Sequence, residues 1–156
     1  MKKRIITILI ICIILIILIV AYHFSKYNYY TFNFNTLKFP NANKTVKIID
    51  IGGIDPIDFQ ILEYSNKDIK NIIEQDFNKI EINQINKIYQ KTIEESLFNY
   101  LSDEEKEAFL ENFNKEELFN TNNYYLFFED TENPIYKFML FIIDVDEKKL
   151  YYILGA

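Results

Sequence analysis

Hydrophobic and polar positions change their rhythm several times along this chain. From Ile5 to Tyr22 they have no rhythm at all. These 18 residues carry no charged or amide side chain, and only Thr7 and Cys12 interrupt a run built mostly of Ile and Leu. A helix of that length rises about 27 Å, close to the roughly 30 Å hydrocarbon core of a bilayer. The pattern predicts a transmembrane helix over 5–22. Tyr30, Phe32 and Phe34 then alternate with Thr31 and Asn33, as in an edge strand or an extended stalk. Asn35 to Asn43, with Pro40 inside it, reads as a turn.

A two-residue period follows. Val46 to Ile51 is β-branched, Gly52-Gly53 and Asp55-Pro56 break it, and Ile57, Phe59 and Ile61 resume on one parity. Two such runs around a loop predict a hairpin, with the glycines permitting positive φ. At Ser65 the period becomes helical. Ile69, Ile72, Ile73, Phe77 and Ile80 mark one helical face, and Ile85, Ile88, Tyr89, Ile93, Leu97 and Leu101 mark a second. Ser102-Asp103-Glu104-Glu105 is a capping box, opening a third helix with Phe109, Leu110 and Phe113. Asn114 and Glu117 repeat the signal for a last turn. Beyond Asn120 to Asn123 the period returns to two. Tyr124 to Glu129 is strand-like, with a turn from Glu129 to Pro134. Ile135 to Ile143 is almost continuously apolar, as in a strand covered on both faces or central in a sheet. Leu150 to Leu154 ends the series after a turn at Asp144 to Lys149.

Strands, then helices, then strands predict an α+β fold. The expected architecture is an N-terminal transmembrane helix followed by an antiparallel sheet of about five or six strands. The order is ββ-ααα-βββ, with the helices packed on one face. The chain divides into an inner tail over 1–4, a signal-anchor over 5–22, a juxtamembrane stalk or edge strand over 23–44, and an acidic α+β domain over 45–156.

Charge orients this arrangement. Lys2, Lys3 and Arg4 precede the apolar run, and only Lys26 closely follows it, so the N-terminus is expected inside and the domain outside. A cleaved signal fits less well. The run exceeds the usual apolar length, and bulky Ile19 stands two residues before Ala21, where a cut would fall. Tyr22 and the tyrosines up to Tyr30 suit a headgroup region. After residue 22, 14 lysines face 23 acids, a net charge of −9. That excludes a nucleic-acid face and is compatible with a basic protein partner. The one cysteine lies in the apolar run, leaving the domain to hold together by packing alone. Richness in Ile, Asn, Lys, Tyr and Phe fits an AT-rich genome, for which a bacterial source is expected.

Chemistry is sparse. The single histidine, His23, sits beside the apolar run, far from any folded pocket a catalytic base needs. Asp50, Asp55 and Asp58 flank the Gly52-Gly53 loop and are the catalytic candidates, since paired carboxylates do acid–base work on sugars. Asp144, Asp146 and Glu147 are the metal candidates, but the turn lacks the ligand count and glycine of a calcium loop. Gly52-Gly53 lacks the spacing of a phosphate cradle. No cofactor is expected. These observations predict a membrane-anchored interaction or accessory module at the cell envelope, an inhibitor or immunity-type protein among the options. The partner would be met through the sheet's aromatic strip or the acidic helices. The alternatives are a carboxylate-dependent envelope hydrolase and a secreted protein cut near Ala21.

Overall fold

A computed structural model describes residues 2–32, 35–53, 56–130 and 137–155, with the side chains of 2–9, 23, 24, 32 and 35 outside that description. The chain forms two compact units, Met1–Asn41 and Ala42–Ala156.

In the first unit helix α1 runs from Lys2 to Ser25. Strands β1 (Tyr27–Phe32) and β2 (Asn35–Pro40) follow as a separate antiparallel pair, from Tyr27 opposite Pro40 to Phe32 opposite Asn35. The stretch expected to be a stalk or edge strand thus holds a strand, and the expected turn at Asn35 holds its antiparallel partner. Cross-strand contacts hold it: the Tyr30 and Phe39 rings lie 5.4 Å apart, and Lys38 Nζ stands 4.0 Å from the Tyr27 ring centre.

The transmembrane and signal-anchor assignment is corrected here. Among the described residues no helix is long and apolar enough to cross a membrane. Ile5 lies among the side chains outside the description, while Cys12 and Tyr22 are exposed on α1. The single-pass location, with an inner tail and an outer domain, is withdrawn with the span.

The second unit is an α+β fold. Its antiparallel sheet combines β3 (Lys44–Ile51), β4 (Ile57–Glu63), β5 (Asn78–Lys79), β6 (Tyr124–Asp130), β7 (Lys137–Asp144) and β8 (Lys149–Gly155) in the order β3-β4-β8-β7-β6-β5. The expected hairpin is β3–β4, with a bulge between Lys47 and Ile49 and Gly53 at φ 137° in the loop. Helix α2 (Asn66–Ile73) starts at Ser65, whose Oγ accepts the Asp68 amide. Its pattern does not continue to Phe77 and Ile80, because the chain turns at Asp76, φ 62°. Helix α3 (Ile82–Tyr89) passes into a π-helical turn (Gln90–Glu94) and a 3-10 turn (Leu97–Asn99). These breaks keep Ile85, Tyr89, Ile93, Leu97 and Leu101 all in one core. The capping box forms as expected: Ser102 N donates to Glu105 Oε2 at 2.8 Å and Glu105 N to Ser102 Oγ at 3.3 Å. It opens α4 (Asp103–Asn112), and Asn114 caps the short α5 (Lys115–Leu118).

Central strand β7 is buried from Phe138 to Ile143. Successive side chains of a strand point to opposite faces. Phe138, Leu140 and Ile142 join the main core with Phe59, Phe109, Phe113 and Leu118. Phe141 on the other face meets Tyr152 at 5.2 Å and Phe77 at 6.3 Å between ring centres. Ile69 and Ile72 of α2 are buried outside the main core, so α2 lies on the Phe141 side. The helices thus divide between the two faces, where one face was expected to carry them all. Two covered faces explain why β7 is apolar without alternation.

Candidate functional site

The catalytic candidates come together in part. Asp50 and Asp58 are direct cross-strand partners on β3 and β4, while Asp55 lies outside the described residues. Lys47 Nζ donates to Asp50 Oδ2 at 2.6 Å, and Gln60 Nε2 donates to Asp58 Oδ2 at 2.5 Å. Asp58 Oδ1 is buried and accepts no hydrogen bond among the described residues. Burial pushes the Asp58 carboxyl above the ordinary value of 3.8. The Gln60 bond and the Lys47 charge oppose that shift, and the Asp50 charge adds to it.

A carboxyl raised in the fold adds stability that is complete below its unfolded value and is lost as pH rises through its folded value. Asp58→Asn removes this penalty, and its amide is placed to donate toward Asp50. The variant is expected to be more stable than the parent by about 1 kcal/mol near neutral pH. Asp58 is only half-buried, so solvent screening holds the figure there. The difference should shrink toward zero as pH falls below about 4. Urea melts of both proteins across pH 3–7 check this, and a gap independent of pH would show that Asp58 does not titrate as described.

The metal candidates form a turn. Asp144 Oδ1 accepts the Glu147 amide at 3.0 Å, Lys148 takes φ 57°, and Lys149 Nζ stands 3.5 Å from Glu147 Oε2. Among the described residues no group of three or more His, Cys, Asp or Glu side chains is gathered to hold a metal ion. The His23 side chain lies outside the description. Burial pushes the Tyr89 and Tyr151 phenols up to about 12, which keeps them protonated at neutral pH.

Of the two surfaces expected to meet a partner, the aromatic strip is mostly taken into the core, with Tyr124, Phe127 and Phe128 half-buried. Tyr125, Phe138, Phe141, Tyr151 and Tyr152 are all buried. The acidic helices remain. Residues 94–119 carry nine acids against two lysines, a net charge of −7. Eight of those acids are exposed and Glu105 is half-buried. Both lysines already have partners, Lys106 with Asp103 and Lys115 with Glu94, each at 3.8 Å. Glu104, Glu107, Glu111, Glu116 and Glu117 make no ion pair among the described residues.

Helical geometry orders this charge. Phe109 is the only buried residue of α4. Glu104, Glu107 and Glu111 are spaced three and four apart, which places them along one stripe. Leu110 is next to that stripe and 55% exposed, and Tyr100, just before the capping box, is 65% exposed. The sequence pattern had placed Leu110 with Phe109 and Phe113. The missed signal is its offset: only Phe109 and Phe113 share a face at four residues' spacing, and Leu110 is flanked by Glu107 and Glu111.

No family model, curated protein or solved structure matches this chain.

Proposed function

We propose that the Ala42–Ala156 unit is a non-enzymatic protein-interaction module whose acidic helical face binds a basic protein partner, in the manner of an inhibitor or immunity-type protein. One observation carries this reading: α4 and α5 are rich in exposed acids, an exposed Leu110 stands beside the α4 stripe, and both lysines of the stretch already have carboxylate partners. An apolar anchor inside a charged rim is the usual composition of a protein interface. The charge steers a basic partner and sets orientation, while Leu110 supplies buried apolar area.

A lysine-rich amphipathic peptide with a leucine on its apolar side is a direct probe. Its affinity should fall about tenfold when the E104Q/E107Q/E111Q triple variant replaces the parent, since exposed ion pairs contribute about 0.3–0.5 kcal/mol each. It should also fall as salt rises past the Debye regime of about 0.1 M. Affinity indifferent to both salt and the triple variant would sink the reading.

A second reading, carboxylate-dependent hydrolysis, draws on the Asp50–Asp58 pairing and the raised Asp58 carboxyl. Two carboxyls on directly opposed strand positions, one of them raised by burial, suit paired-carboxylate work on a glycosidic bond. Release of reducing sugar from polysaccharide, lost in both D50N and D58N, would favour it. Equal release by D50N/D58N and the parent would dismiss it.

A further inference from the structure

The two margins of the six-stranded sheet are unlike. At one margin the outermost strand is β5, two residues long. At the other it is β3, eight residues long, and among the described residues β3 pairs with β4 alone. One edge of its backbone therefore presents N–H and C=O groups that no strand of the sheet receives. Another extended chain can add to such an edge.

Folded domains commonly guard an open edge with lysines and bulges. Both lysines of β3 are tied to carboxylates of their own sheet. Lys44 Nζ lies 3.3 Å from Glu63 Oε1, and Lys47 Nζ lies 2.6 Å from Asp50 Oδ2. The bulge between Lys47 and Ile49 interrupts the edge, but the stretch from Lys44 to Lys47 keeps regular register with Glu63 to Gln60.

Charge selects the occupant. Helix α4 packs against β3, and its Phe109 ring lies 4.8 Å from that of Phe59 on β4, so the acidic helix lies over this margin of the sheet. Ile49 belongs to the main core, with Ile48 and Ile51 packed against it. Alternate side chains of an added strand would thus point toward the layer that holds α4. From Ala42 to Ala156, 12 lysines face 23 acids, a net charge of −11. Two copies meeting edge to edge would bring two such charges together, whereas a cationic segment is drawn in.

We propose that the basic partner binds in extended form, as a strand added to the open edge of β3. This inference rests on the protein-binding reading above and specifies the partner's conformation. Backbone hydrogen bonds to β3 supply affinity. Alternate lysine or arginine side chains of the added strand stand on the α4 side, where the negative potential of the helix favours them.

An alternating lysine–valine peptide as long as β3, added to the ¹⁵N-labelled full chain, tests this. Alternate amides between Lys44 and Ile51 are expected to gain protection from hydrogen exchange. Two isomers of the peptide, N-methylated at every lysine or at every valine, separate its edges, since successive N–H groups of a strand point to opposite sides. One isomer should bind about tenfold more weakly than the unmethylated peptide, and the other within about twofold of it. A threonine–valine peptide of the same length should also bind about tenfold more weakly. Unchanged exchange in β3, or equal loss for both isomers, would overturn strand addition. A loss of affinity in E104Q/E107Q/E111Q would then show that the acidic face holds its partner in another form. Protection of β3 that is indifferent to that triple variant and to the threonine peptide would overturn the choice of a basic partner. Protection that rises with protein concentration and without peptide would overturn it too, assigning the edge to a second copy.

Discussion

Phe109→Ala is expected to remove about 3–5 kcal/mol of stability, a large share of the 5–15 kcal/mol typical of a folded domain. Phe109 is fully buried, and its ring meets Phe59 at 4.8 Å, Phe113 at 5.2 Å and Phe98 at 5.4 Å. Truncation leaves a cavity bordered by aromatic rings that cannot collapse without moving their own strands and turns. The effect reaches function because Phe109 is the one buried residue of α4. Removing it loosens the helix that carries Glu104, Glu107, Leu110 and Glu111. Leu110→Ala is the matched contrast: an exposed side chain whose loss should change stability by under about 0.5 kcal/mol while weakening the lysine-rich peptide. Urea melts with a lowered midpoint and unchanged slope for F109A, beside an unmoved midpoint for L110A, would establish the division. A small loss in F109A would mean that α4 is held by its capping box and Phe113 instead.

Local signals were legible where chemistry within a few residues decides the structure. Ser102 and Glu105 are three residues apart, and the box they form depends on nothing else. The β3–β4 hairpin was visible from two β-branched runs around glycines. Long-range pairing was less so. Asn35–Pro40 looks like a turn because its Asn, Lys and Pro are poor strand formers, yet pairing with Tyr27–Phe32 makes it a strand. Propensity gave way to cross-strand contact, as it often does in sheets. The division of helices between two faces was hidden for a related reason. Continuous burial of β7 shows that both faces are covered, but not which helix covers which.

The candidate sites follow the same rule. The acidic excess over 94–119 could be counted from the sequence. That Leu110 stands exposed within it depends on Phe109 and Phe113 having taken the inward face. Asp50 and Asp58 were suspected together, and the antiparallel register after the Lys47/Ile49 bulge makes them partners.

Gly155→Ala is expected to cost about 1–3 kcal/mol, more than its size suggests. Gly155 is the cross-strand partner of Phe138. A Cβ there would stand 2.8 Å from Phe138 Cζ and closer still to Cε1. The ring cannot swing clear, because Phe138 is 1% exposed within the main core. The clash must move β8 against β7 or push the ring into its neighbours, and the sheet beneath the acidic helices shifts with either. The requirement is steric and does not come from backbone freedom, so it should disappear when the ring is replaced. In a Phe138→Leu background, Gly155→Ala should cost under about 0.5 kcal/mol, giving a coupling of about 1 kcal/mol or more in the double-mutant cycle. Additive losses would mean that the alanine acts through strand β8 itself and not through Phe138. A glycine facing an aromatic ring on the neighbouring strand would then be no more than a coincidence of composition. A coupled result would make the pair the register lock between the two central strands.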